Sequence, residues 1–181
     1  ISLEHPASQS HIFVGLPAVE RGHPDYIPLL VGNYTLGGGG FVSRLMKEVR
    51  EKRGYAYSVG SSFSPRKQAG PFQIGLQTKR DQAKVALTVL NEVLNTFLAE
   101  GPSATELSAA KKNLIDGMAL GIDSNAKLLG YLSVIGFYGL PLTYLDDFPN
   151  RVEAVPREQV KAAFNNHVKP EHLITVIVAG D

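Results

Sequence analysis

Two stretches of this chain combine residue types that could do chemistry. The first is "HVKPEH", His167 to His172, with two imidazoles and a carboxylate, a donor set suited to zinc. A catalytic motif such as HxxEH works because histidines at i and i+4 share one helical face, with the glutamate beside them as general base. Here the histidines are five apart, and Pro170 interrupts any helix between them. The pair is therefore not expected to hold a metal, and no metal site is expected in this chain. His5, His11 and His23 stand singly, in loops or at a strand edge, and are expected to be solvated.

The second stretch is "LGGGGFVSRLMKEVREKRGYAYSV", Leu36 to Val59. Glycine loses more conformational freedom on folding than any other residue, so four in a row need a reason. Phosphate binding would require GxxxxGK[ST] or GxGxxG directly after a strand. Gly40 is instead followed by Phe41-Val42-Ser43, no lysine stands at the required place, and a helical pattern precedes the glycines. A turn between two helices and a loop contacting an extended ligand both remain open. Beyond the glycines come three arginines and two phenols: Arg44, Arg50, Arg53, Tyr55 and Tyr57. Arg44 and Arg53 read as solvated helix charges.

Elsewhere the sequence mostly excludes. There is no G-x-S-x-G elbow and no nucleophile with an obvious base. Asp146 and Asp147 are adjacent, so on a helix they diverge. Absence of cysteine removes disulfides, thiolate zinc sites and cysteine nucleophiles. A net charge of +1 supports no bulk attraction to nucleic acid or anionic lipid. No apolar run is long enough to span a bilayer, and no signal peptide is visible. With 44% hydrophobic and 19% charged residues, the 181-residue chain has the make-up of one globular core, and residues 1–181 are expected to form a single domain. It opens on Ile1 and stops just after a strand-like run, which reads as a piece of something longer.

The elements that must carry these residues follow from periodicity. Ser10 to Ala18 and Thr175 to Asp181 read as strands. Pro24 to Tyr34 reads as a helix that ends before the glycines. Phe41, Val42, Leu45, Met46 and Val49 make one apolar stripe, so residues 41–52 are expected to be an amphipathic helix. Arg50 lies roughly 100° from the centre of that stripe, on its flank. Tyr55, Tyr57, Val59 and Phe63 alternate with Ala56, Ser58, Gly60 and Ser62. Phe72, Ile74 and Leu76 alternate with Gln73, Gly75 and Gln77, so the two runs predict an antiparallel hairpin. Taken alone, this alternation makes Tyr57 either a core tyrosine or a residue at the start of an exposed edge, with Tyr55 on the same face. Asp81 is the expected N-cap of a helix burying Ala86, Leu90, Val93, Leu94 and Phe97 and stopped by Gly101-Pro102. "SATE", Ser103 to Glu106, is a capping box opening the next helix. Further helices are expected over 124–138, 142–150 and 156–166. The order predicts an α+β fold, a mainly antiparallel sheet with helices on one face and a more polar open face carrying Gln73 and Gln77.

The Leu36–Val59 stretch resembles the C-terminal half-units of the insulinase/pitrilysin family of zinc peptidases, which includes mitochondrial processing peptidase and many bacterial members. "HIFVGLPA", the helix after "HPDY", "GPFQIGLQTK" and "LITVIVAGD" fall where such a unit has them. The resemblance implies the metallohydrolase half-unit fold of the processing-peptidase type and a divided active site. A partner domain, on the same chain or another subunit, would carry HxxEH and bind zinc. This zinc-free half would hold a peptide or unfolded protein substrate and contribute an arginine and a tyrosine. By position in the motif these would be Arg50 and Tyr57, with Gly37, Gly38, Gly39 and Gly40 near the substrate and Tyr55 as the neighbouring candidate. A non-catalytic structural subunit derived from the same fold is the alternative. Bacterial periplasm and cytoplasm both remain open as compartments.

Overall fold

The computed structural model describes residues 1–178, and within them five strands make a single sheet. They are β1 (Ser2–Leu3), β2 (Gln9–Val19), β3 (Ser58–Phe63), β4 (Gly70–Lys79) and β5 (Ile174–Val178), in the order β1-β5-β2-β4-β3. The alternation in the sequence is what builds it. Ile12, Val14 and Leu16 of β2 face Leu76, Ile74 and Phe72 of β4, and all six are buried. Between them His11, Phe13 and Gly15 stand opposite Gln77, Gly75 and Gln73 on the other face, where Phe13, Gln73 and Gln77 are exposed. The expected hairpin forms, with Ser58 opposite Gln77 and Phe63 opposite Phe72. β1, unforeseen, pairs in parallel with β5, so the sheet is mixed rather than purely antiparallel. Residues 179–181 of the strand expected at the end of the chain lie outside the described residues.

Helices α1 (Tyr26–Asn33), α2 (Ala83–Glu100), α3 (Ala104–Gly121), α4 (Asn125–Tyr138), α5 (Tyr144–Glu153) and α6 (Arg157–His167) occupy the other side. α2 buries the expected Ala86, Leu90, Val93, Leu94 and Phe97, and Gly101 ends it at φ +74°. Asp81 is not its N-cap: a 3₁₀ turn over Arg80–Gln82 precedes it, and Gln82 takes that position. Ser103 and Glu106 form the capping box, each side chain bonded to the other residue's backbone N–H. Phe164 of α6 meets Phe97 edge-on at 4.8 Å and Phe63 at 5.6 Å, tying the helical layer to the hairpin.

The largest departures lie around the glycines. α1 does not stop before them but continues as a π-helical turn over Tyr34–Gly38. The amphipathic helix expected over 41–52 begins only at residue 44, after a 3₁₀ turn over Gly40–Val42, and widens to a π-helical turn over Met46–Glu51. Gly40 takes φ +60°, which redirects the chain, so the helical phase is not carried from Phe41 to Leu45. Leu45, Met46 and Val49 are buried as expected, whereas Phe41 and Val42 are 61% and 56% exposed.

Candidate functional site

Arg50 and Tyr57 meet at the surface beside the start of β3. The guanidinium carbon of Arg50 lies 4.8 Å from the centre of the Phe41 ring and 5.7 Å from that of Tyr57. Both distances are in the cation–π range. Tyr57 is 81% exposed, so it is not a core tyrosine. The alternation expected from Tyr55 onward fails because strand pairing begins only at Ser58, after Gly54 at φ +65°. Tyr55 and Tyr57 consequently do not share a face. Tyr55 packs against the core, its carbonyl accepting from the Thr78 hydroxyl of β4, and Ala56 is buried in the place periodicity assigned to Tyr57.

The other two arginines of the stretch are paired with carboxylates: Arg53 on the surface, as its reading as a solvated charge allows, and Arg44 half-buried, contrary to that reading. Arg44 makes a bidentate pair with Glu106, 2.9 Å from Nε to Oε1 and 2.7 Å from Nη2 to Oε2, and also donates to the Gly101 carbonyl. That guanidinium, with the Ser103 N–H, holds the Glu106 carboxyl at a pKa of about 2 although burial opposes it. Arg53 pairs with Glu48 at 2.7 Å. Arg50 has no carboxylate partner among the described residues, which leaves its charge available.

Gly37, Gly38 and Gly39 are packed rather than loose. A Cβ on Gly37 would sit 2.5 Å from the Ser61 nitrogen and 2.8 Å from Leu45; one on Gly38 would reach Asn33 Nδ2 at 2.6 Å; one on Gly39, the Tyr34 carbonyl at 2.6 Å. The close approach is clamped by a buried reciprocal pair. Asn33 Nδ2 donates to the Ser61 carbonyl at 3.0 Å, and Ser61 Oγ donates to Asn33 Oδ1 at 2.7 Å. The Ser43 hydroxyl then donates to the Gly40 carbonyl, closing the turn that delivers Phe41 to Arg50.

Tyr57 also lines a shallow depression on the uncovered face with His11, Phe13, Ser58 and Gln77, the Gln77 amide lying 3.3 Å from His11 Nδ1. Sequence reasoning passed over His11 as solvated and did not single out Phe13; period-two alternation along β2 is the signal that puts both on the open face. It also missed Phe41 as an aromatic partner of Arg50.

The structure separates His167 from His172 and brings it instead to His23 and Asp25, whose ligand atoms lie within 4.8 Å of its own. Both ring nitrogens of His167 already face oxygens, Ala18 O at 2.9 Å and Asp25 Oδ2 at 3.0 Å, while His23 Nδ1 accepts from the Asp25 N–H. These three residues could hold an ion only by giving up that set. They come from separate segments and do not reproduce the HxxEH arrangement.

Residues 2–114 match the family described as the peptidase M16 inactive domain. The chain belongs to this family. The insulinase-type resemblance of Leu36–Val59 is thereby borne out. A crystal structure of a peptidase M16 inactive domain from Pseudomonas fluorescens superposes with a TM-score of 0.94 at 40% identity, covering 99% of this chain and 43% of that one. YmxG of Bacillus subtilis, named an uncharacterized zinc protease, is 29% identical over 170 residues, 93% of this chain and 41% of that protein. A Helicobacter pylori protein named non-peptidase homolog YmxG is 29% identical over 175 residues, 94% of this chain and 40% of its own length. This M16 inactive domain thus spans about two fifths of these relatives.

Proposed function

We propose that this chain is the zinc-free half of a divided metallopeptidase site. It holds an extended peptide beside the open sheet face and completes the active site of an HxxEH-bearing partner domain. Zinc belongs, in this reading, to the partner. The observation that carries it is the pairing of Arg50 with Tyr57: a cation without a carboxylate partner against an exposed phenol whose hydroxyl has no partner among the described residues. A phenol at such a place can donate its hydrogen to a substrate carbonyl and to the oxyanion that develops from it. A guanidinium beside it supplies a fixed charge and forked donors to the peptide backbone. Phe41 and Tyr57 keep Arg50 oriented without neutralising it. Gly37 to Gly40 shape the approach by letting backbone segments close together, with Gly38 and Gly40 at the surface and Tyr55 anchoring the segment behind Tyr57.

The test is peptide cleavage by this chain assembled with an HxxEH-bearing domain, compared with each part alone. The expected result is cleavage by the assembly only, strongly reduced by Tyr57→Phe. The name of the Helicobacter pylori relative, a non-peptidase homolog, favours a second reading as a structural subunit. That reading expects assembly without cleavage.

A further inference from the structure

On the helical side of the sheet, a cavity of about 320 Å³ opens between α1, α3, α4 and α5. Its walls are apolar and aromatic, with Tyr26, Leu114, Tyr131 and Phe148 prominent, and Arg21 is the cation among them. Arg21 is poorly satisfied. Its Nη1 donates to the Tyr26 hydroxyl at 3.2 Å, and its guanidinium lies over the Tyr26 and Tyr138 rings at 4.9 and 5.8 Å. Its Nε is buried with no hydrogen-bond partner, and no carboxylate among the described residues pairs with it. Burial, opposed by Arg21, raises the Tyr26 phenol above its ordinary value, so that hydroxyl stays protonated and cannot neutralise the guanidinium. A buried donor left unmade carries its full desolvation penalty, and a half-buried cation without an anion adds to it. A ligand that supplied one negative charge to the guanidinium from the cavity would remove the second cost.

We propose that this cavity binds a small carboxylic acid with an aromatic or branched aliphatic body. The carboxylate lies on Arg21, and the body sits between Tyr26, Leu114, Tyr131 and Phe148. The volume is at the low end of small-molecule sites, and a planar guanidinium matches a carboxylate in charge and fork. A free acid suits an enclosure of this size better than a chain terminus, which brings further residues with it. The site stands apart from Arg50 and Tyr57 and does not depend on their role.

Titration calorimetry of the full-length protein with 3-phenylpropionate tests the proposal, with 3-phenylpropionamide and the tripeptide Ala-Ala-Phe as comparisons. The acid should bind saturably at one site, and the amide at least tenfold more weakly. Arg21→Gln should weaken the acid about tenfold or more. Gly117→Leu covers the case in which the Arg21 variant fails to fold. Gly117 lines the cavity, a Cβ there meets no atom within 4 Å, and replacing a mid-helix glycine favours α3. Leucine should fill the space and abolish binding in a protein at least as stable as the parent. No saturable binding, equal binding of acid and amide, or binding unchanged by Gly117→Leu would each overturn the proposal. Binding of the tripeptide in place of the acid would overturn the assignment to a small molecule.

Discussion

The Arg50 guanidinium carbon lies 5.7 Å from the centre of the Tyr57 ring, although Arg50 stands in the last turn of a helical segment and Tyr57 just before β3, with a turn at Gly54 between them. The Gly54 N–H donates to the Arg50 carbonyl and the Tyr55 N–H to the Val49 carbonyl, so the end of one helix folds directly back on the start of the hairpin. The pair is thus set by a short, hydrogen-bonded reversal rather than by a flexible loop.

Tyr57→Phe removes one hydroxyl that no described residue uses, so the thermal midpoint should hardly move. If that hydroxyl stabilises an oxyanion in the assembled peptidase, kcat should fall by about 10²–10³, the loss of one such donor. Tyr55→Phe, on a ring packed against the core, should leave kcat intact. Undiminished kcat in Tyr57→Phe would leave the chain as scaffold.

Arg50→Lys keeps the charge but loses both the fork and the planar face that lies over Phe41 and Tyr57. Turnover should drop and KM should rise together, while urea unfolding changes by less than about 1 kcal/mol, the scale of an exposed cation–π contact. A full set of steady-state constants on both proteins decides it.

The Arg44–Glu106 pair should be visible in acid. The Glu106 carboxyl titrates at about 2 when folded against an ordinary 4.5. Its contribution is therefore complete above about pH 5 and is lost as pH falls towards 2, because the unfolded chain takes up the proton first. With side chains only 19% and 28% exposed, the contribution should be about 2–3 kcal/mol. Thermal midpoints from pH 6 down to 2 should fall more steeply in the parent than in Glu106→Gln.

Gly37→Ala and Gly40→Ala should both destabilise, for different reasons. The first drives a methyl into Ser61 and Leu45, an overpacking cost of about 1–3 kcal/mol. The second meets no atom within 4 Å but forces alanine to φ +60°, worth about 1–2 kcal/mol. Adding Ser61→Ala should rescue neither, because the Ser61 backbone nitrogen and Leu45 still crowd a methyl on Gly37 and the buried Asn33 Oδ1 loses its donor. Denaturant midpoints of the three variants measure this.

What could be read from the sequence was what short-range chemistry encodes. Period-two alternation put Phe72, Ile74 and Leu76 on the buried face and Gln73 and Gln77 on the open one. The Ser103–Glu106 capping box and the buried stripe of α2 formed as their spacing required, and the motif from Leu36 to Val59 was enough to indicate the family. Periodicity failed where one backbone angle resets it. Gly40 and Gly54, both at positive φ, turned Phe41 and Tyr57 outwards and so made the Arg50 cluster. Tertiary structure alone decided the rest. Glu106 comes to Arg44 across 62 residues, and His167 to Asp25 across 142. No local pattern reports such pairs, because each partner satisfies its own helix or turn equally well without the other. Only packing of the helical layer on the sheet brings the charges together and takes away the water that would otherwise have solvated them.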